Sequence, residues 1–222
     1  MYQVSFAYLI LLWTYRLILL AVAGLTIHRL WKRPPAAIRW LCMVLLAGAI
    51  AEWGGYVQLR CTGTNIIWYT AYSLINLFLA VLYFGDSIRV LRRSRVIPVV
   101  AVITLLAGIS NSIWLQPPPT ANTNFIFLAA ALIICCCLFS LSRLLVEQKE
   151  LKFSANIHFW IANIWVGYWF LMLLCYGLLY LEIFPREEKF VVVGTLLLLD
   201  NLLTYLFFGS LLWRFNKFII ND

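Results

Sequence analysis

Three charged residues stand inside long apolar runs of this chain: Arg16, Glu52 and Asp200. A charge placed in hydrocarbon is costly, so such residues usually pair, line an ion path or contact a ligand. The helical rise of 1.5 Å per residue places Arg16 and Asp200 at a similar depth, about 15 Å from the ends of their runs. We therefore expect an Arg16–Asp200 ion pair, with Glu52, in the outer third of its run, as a competing partner for Arg16.

Amide and aromatic residues extend this polar layer. The candidate ligand or ion site comprises Arg16, Glu52, Asn76, Asn163, Trp165, Tyr168, Asp200 and Asn201. The aromatic members lie deeper in their run than rings at a membrane surface would, which indicates either helix packing or a wall for a ligand. The alternative for the polar members is a fully hydrogen-bonded network that only fixes helix register.

Small residues flank one of the acids. Gly48 and Gly55 lie on the same helical stripe as Glu52. Small residues at this spacing allow a neighbouring backbone to approach closely in a membrane. The pattern predicts a tight helix contact beside the Glu52 carboxyl group.

The composition is typical of an integral membrane protein. Of 222 residues, 64% are hydrophobic and 12% are charged, which lies outside the range of soluble domains. The net charge of +8 comes from Lys and Arg in short connectors, as in loops that face cytoplasm and anionic lipid. We expect a lipid bilayer as the environment and no nucleic-acid partner.

Seven apolar runs are long enough to cross a bilayer core of about 30 Å. They cover residues 5–27, 38–59, 66–88, 97–115, 125–145, 155–183 and 190–213. Short connectors with Pro and Gly leave no room for a soluble domain, so residues 1–222 are predicted to form one all-α, seven-helix bundle. In a closed ring of seven helices the first and last would be neighbours.

The connectors differ in charge. Thirteen Lys and Arg residues lie in the first, third and fifth connectors and the tail, against three on the other side. The positive-inside rule then predicts an outside amino terminus and a cytoplasmic carboxyl terminus. The third connector carries the densest group: Arg89, Arg92, Arg93 and Arg95. This group is either a docking face for a cytoplasmic partner protein or a contact with lipid headgroups.

Catalytic and metal-binding patterns are not found in the sequence. The two histidines, His28 and His158, have no accompanying ligand set, and consecutive Cys135, Cys136 and Cys137 point about 100° apart on a helix. No G-x-S-x-G or H-E-x-x-H motif occurs. We expect no metal, no cofactor and no enzymatic activity.

Two resemblances follow from these residues. The topology is similar to that of rhodopsins and G-protein-coupled receptors, and Asn201–Tyr205 resembles their N-P-x-x-Y motif with the proline replaced. The last run has no lysine, which excludes a retinal photoreceptor. The chain also resembles short bacterial seven-span proteins of uncharacterised function, through Phe159-Trp160, the turn "PREEK" and the asparagine-bearing last run. This second resemblance implies the bacterial inner membrane and a role in signalling.

We therefore expect a non-catalytic, receptor-like or complex-forming signalling subunit that senses a small apolar or lipid ligand. The alternative is a small-solute or proton-coupled transporter or channel that uses the intramembrane Arg, Glu and Asp residues. A polar path across the whole bundle would distinguish the second from the first, because a carrier must open its polar layer to both sides.

Overall fold

The computed structural model describes residues 6–93, 96–117, 120, 122–147, 155–180 and 186–218. Over these residues the chain is helical: α1 Phe6–Trp31, α2 Ala36–Thr62, α3 Ile66–Ser87, α4 Arg89–Arg93, α5 Val96–Ser110, α6 Thr123–Glu147, α7 Ile157–Tyr180 and α8 Arg186–Trp213. A π-helical turn, Asn111–Leu115, extends α5, and a 3₁₀ turn, Phe215–Lys217, follows α8. Within the described part of the chain, seven helices are long and apolar enough to span a membrane. The predicted all-α bundle is confirmed, and the chain is a multi-pass membrane protein.

Contacts between successive helices close a ring. α1 contacts α2 and α8, and α7 lies between α6 and α8. The predicted adjacency of the first and last spanning helices is therefore confirmed. α3 contacts α2 and α6 within that ring, and α5 packs against α3. We call the side on which α1 begins the N-terminal side and the side on which α8 ends the C-terminal side.

Helix ends follow from local chemistry. Pro34 and Pro35 separate α1 from α2, since proline lacks the amide that would continue a helix. Gly63 ends α2 in the left-handed region, at φ 76°, and its amide donates to the Leu59 carbonyl at 3.0 Å. The break at Gly63 lets α3 fold back against α2, and the two helices pack as an antiparallel pair.

A buried arginine joins the ends of α1 and α8 on the C-terminal side. Arg29 is 8% exposed, and its Nε donates to the Leu212 carbonyl at 2.8 Å. Nη2 donates to the Trp213 carbonyl at 3.1 Å, and Nη1 donates to Asn216 Oδ1 at 3.2 Å. The guanidinium thus satisfies carbonyl groups at the end of α8 that have no partner within the helix.

Amide side chains tie the fourth spanning helix to the fifth on the N-terminal side. Asn111, in the π-helical turn, donates to Asn122 Oδ1 and to Gln116 Oε1. Asn122 Nδ2 in turn donates to Ser112 Oγ at 2.9 Å, and Gln116 Nε2 donates to Thr123 Oγ1 at 2.8 Å. This network accounts for the position of Asn111, which is buried but belongs to a helix connection and not to the site described below.

Candidate functional site: a tyrosine-lined cavity

A cavity of about 480 Å³ lies between α1, α2, α3, α6, α7 and α8. Its lining residues lie on the N-terminal side of the bundle or near the middle of the bundle, and they include Tyr8 on α1, Gly48 on α2 and Tyr205 on α8. Five of the eight predicted site residues line it: Arg16, Glu52, Asn76, Tyr168 and Asn201. The structure therefore brings together most of the polar layer expected from the sequence, as the wall of a cavity.

Tyrosines supply much of this wall. The chain has eleven, and eight of them line the cavity: Tyr8, Tyr15, Tyr56, Tyr69, Tyr72, Tyr168, Tyr176 and Tyr205. Sequence reasoning identified only Tyr168 as a site residue. A signal was nevertheless present, because Tyr8 and Tyr15 are seven residues apart, Tyr168 and Tyr176 eight. Such spacings keep side chains on one helical face.

Glu52 is the carboxylate of the cavity. The Tyr69 hydroxyl donates to Glu52 Oε2 at 3.1 Å. The predicted close approach beside Glu52 exists, but side chains make it. A Cβ atom added to Gly48 would lie 2.0 Å from Tyr205 Oη and 3.2 Å from Tyr72 Oη. The glycine stripe therefore admits tyrosines from α3 and α8 next to the acid, where the sequence suggested a neighbouring backbone.

Arg16 faces aromatic rings. Its guanidinium carbon lies 4.1 Å from the ring centre of Tyr56, 5.1 Å from that of Trp13 and 5.8 Å from that of Trp53. Cation–π contacts of this kind stabilise a guanidinium without a carboxylate partner. Among the described residues Arg16 forms no ion pair with Asp200 or Glu52. The predicted Arg16–Asp200 pair is wrong: the two residues share a depth but not a contact.

Asp200 lies outside the cavity lining, although its neighbour Asn201 is part of it. The side chain is 6% exposed, and Oδ2 has no hydrogen-bond partner among the described residues. Successive residues of a helix point about 100° apart, so one of the pair meets the cavity and the other meets packed protein. The fully hydrogen-bonded network considered above is therefore not what the described residues form.

Two other predicted site residues also lie elsewhere. Asn163 is exposed on α7, where its amide donates to the Phe159 carbonyl of the preceding turn at 2.7 Å. An amide bonded to its own helix does not need a partner across the bundle. Trp165 is buried, but its ring packs in the core and not against the cavity.

Trp165 belongs to an aromatic cluster on the C-terminal side of the cavity, formed with Tyr83, Phe84 and Phe208. Its ring centre lies 4.9 Å from that of Tyr83, 5.3 Å from that of Phe84 and 6.1 Å from that of Phe208. The Tyr83 hydroxyl also shares a hydrogen bond of 2.8 Å with His158 Nδ1. All four rings are buried, and on α3, α7 and α8 they lie closer to the C-terminal side than the residues that line the cavity.

The basic group of the third connector lies on that opposite side. Arg89, Arg92 and Arg93 belong to α4 and are exposed, whereas Arg95 lies outside the described residues. Arg92 donates from Nε and Nη2 to the Asp86 carbonyl at 3.0 Å and 2.7 Å, which ties α4 to the end of α3. The cavity and the basic surface therefore lie toward opposite ends of α3.

No set of three or more His, Cys, Asp or Glu side chains suited to a metal ion occurs in the described part of the chain. Comparison with protein-family models, with curated proteins and with solved structures finds no match for this chain. The cavity itself offers a carboxylate, a guanidinium, amides and hydroxyls beside aromatic rings. Such a set can hold a small molecule by hydrogen bonds, charge and ring contacts.

Proposed function

We propose that this chain is a non-catalytic, receptor-like membrane subunit that binds a small amphipathic molecule in the tyrosine-lined cavity. One observation carries the proposal: a cavity lined by charged, amide and hydroxyl groups, with the buried rings around Trp165 packed on its C-terminal side. Its volume falls within the range of about 300–1,000 Å³ typical of small-molecule sites. The sequence favoured an apolar or lipid ligand, whereas these walls favour one that also forms hydrogen bonds.

The charge of the connectors supports a direction for this activity. With the amino terminus outside, the cavity would take its ligand from the outer side of a bacterial inner membrane. The exposed arginines of α4 would then face the cytoplasm, where a partner protein or anionic lipid can bind them. The resemblance to short bacterial seven-span proteins is consistent with a partner in signalling.

The helix α3 connects the cavity with the basic surface of α4. α3 carries Tyr69 and Asn76 at the cavity and continues through Ile88 into α4. A ligand that shifts α3 by contacting these two residues would move the arginines as well. The differential contact with the ligand supplies the free energy of such a shift, as any ligand-driven change requires.

The competing function is transport of a small solute or of protons. Glu52 and Arg16 are residue types that carriers use, but a carrier must expose its site to both sides of the membrane. The buried rings of Tyr83, Phe84, Trp165 and Phe208 stand where that second opening would be. This packing favours binding over transport.

One-sided access to the cavity tests the proposal. Ser73 lines the cavity, and Lys217 is exposed on the C-terminal side. In a background with Cys61→Ser and Cys135→Ser, which removes the exposed native thiols, Ser73→Cys and Lys217→Cys are labelled in oriented vesicles with a membrane-impermeant thiol reagent. We expect each to react from one side only, and from opposite sides. Labelling of Ser73→Cys from both sides, with proton flux that is lost in Glu52→Gln, would establish transport in its place.

A further inference from the structure

Two opposite charges face the same cavity without pairing. Glu52 and Arg16 both line it, and among the described residues they form no ion pair with each other. Charges held apart in a weakly polar interior are costly unless other groups compensate them. A molecule that enters between them and carries both signs would compensate both.

The surroundings of Glu52 suit a cation. Tyr69 donates a hydrogen bond to Oε2, whereas a carboxylate has about four acceptor sites. Gly48 has no side chain, so the hydroxyl groups of Tyr72 and Tyr205 lie over that glycine, one helical turn from Glu52. Tyrosine rings and hydroxyls next to a carboxylate are the groups that receive an ammonium ion.

The surroundings of Arg16 suit an anion. The guanidinium lies against the ring of Tyr56, with its carbon 4.1 Å from the ring centre, and the rings of Trp13 and Trp53 stand further off. Such stacking fixes the plane of the group. A guanidinium of fixed plane presents its N–H donors in the fork geometry that matches a carboxylate.

Between the charges the cavity offers amides and apolar surface. Asn76 and Asn201 are amide residues that line the cavity together with the two charged residues. Trp169, Met172 and Leu198 also line it and provide room for an apolar group. The wall therefore recognises more than charge.

From these contacts we infer that the ligand is a small zwitterion with an aromatic or aliphatic side group, the chemistry of a free amino acid. Its ammonium group would bind Glu52, and its carboxylate would bind Arg16. This inference rests on the proposed binding function and names its ligand class. It assigns opposite roles to two residues that the sequence placed in one undivided polar layer.

Three matched probes test the inference with the full chain in lipid nanodiscs: L-tryptophan, tryptamine, which lacks the carboxylate, and indole-3-propionate, which lacks the ammonium. Affinities are measured by titration of each probe. We expect L-tryptophan to bind at least tenfold more tightly than either analogue. Equal or tighter binding of tryptamine or of indole-3-propionate would overturn the inference.

Variants that remove one charge test which residue binds the ammonium group of the ligand and which binds its carboxylate. Glu52→Gln should weaken L-tryptophan at least tenfold but change the affinity for indole-3-propionate less than twofold. Arg16→Gln should weaken L-tryptophan to a similar degree and leave tryptamine within twofold. Arg39→Gln, at an exposed arginine away from the cavity, is the control. Glu52→Asp and Arg16→Lys keep the charges and should restore part of the affinity if the Gln variants lose their fold.

The outcomes separate the two proposals. If none of the probes binds, although Ser73→Cys is still labelled from the N-terminal side alone, the zwitterion inference fails and the proposed cavity function stands. If Ser73→Cys is labelled from both sides, the proposed function fails as well. Loss of L-tryptophan binding in Arg39→Gln would also count against the assignment of charge recognition to Glu52 and Arg16.

Discussion

The Tyr205 hydroxyl lies over Gly48, one helical turn from Glu52 on α2, because Gly48 has no side chain. A Cβ atom at Gly48 would lie 2.0 Å from Tyr205 Oη, which is closer than any real contact. The hydroxyl group therefore occupies the volume that an alanine would fill. The shape of the cavity beside Glu52 therefore depends on the missing side chain at Gly48.

Gly48→Ala should displace Tyr205 and Tyr72 and thereby weaken ligand binding. Overpacking of this kind destabilises a protein by about 1–3 kcal/mol, so we expect a lower melting temperature and an affinity for L-tryptophan reduced several-fold. Gly24→Ala is the matched control, since a Cβ there meets nothing within 4 Å. Alanine in a helix interior is favoured over glycine by up to about 1 kcal/mol, so the control should be at least as stable as the wild type.

A second glycine allows the cavity to be filled without a clash. Gly194 lines the cavity, and a Cβ at this position meets nothing within 4 Å. Gly194→Phe should abolish binding of L-tryptophan while the melting temperature stays within a few degrees of the wild type. Gly167→Phe adds the same side chain at an exposed glycine of α7 that also has no neighbour within 4 Å. Unchanged binding in Gly194→Phe would show that the ligand binds elsewhere.

Arg29 should contribute more to stability than any exposed arginine, because it donates to two carbonyl groups at the end of α8 and to the Asn216 side chain. Hydrogen bonds that involve a charged group contribute about 1.5–3 kcal/mol each before losses in neighbouring contacts. We expect Arg29→Gln to lower the free energy of unfolding by about 2–4 kcal/mol, measured by thermal unfolding in detergent. Arg39→Gln, at an exposed site, should change it by less than about 0.5 kcal/mol. Equal effects of the two variants would contradict the capping role.

Much of the fold could be predicted because it depends on length and composition. Apolar runs separated by Pro34-Pro35 and Gly63 specify how many helices cross a bilayer and where they break. Adjacency of α1 and α8 followed from closing a ring of seven. The end of the fourth spanning helix was harder to predict from the sequence. Its π-helical turn at Asn111–Leu115 makes an amide contact with Asn122 that no local sequence pattern indicates.

The site was only half predictable, because residue counting gives depth but not direction. Arg16 and Asp200 share a depth, yet the arginine meets the ring of Tyr56 on α2, so packing decided its partner. Cation–π contacts contribute about 0.5–2 kcal/mol, and an ion pair buried in protein often gains little more after desolvation. The tyrosines were missed because each one alone is an ordinary membrane residue; their common face appears only when the helices are assembled.

Asp200 and Asn201 give the sharpest test of this difference in direction. Asp200 is buried outside the cavity and its Oδ2 has no partner among the described residues, whereas Asn201 lines the cavity. A buried carboxylate oxygen without a partner carries an uncompensated desolvation cost, which an uncharged amide carries to a smaller degree. We therefore expect Asp200→Asn to keep or raise the melting temperature and to leave the affinity for L-tryptophan within twofold.

Asn201→Leu should lower the affinity for L-tryptophan and have little effect on stability. The leucine is similar in size and suits the helix, so stability should change by less than about 1.5 kcal/mol, but the cavity loses an amide and the affinity should fall about tenfold, as for one hydrogen bond to a charged group. A charge exchange, Arg16→Asp with Asp200→Arg, should not restore stability, since the two side chains do not meet. Recovery in that double variant, relative to the two single variants, would show that they do pair in the membrane and would reassign Arg16 from ligand recognition to structure.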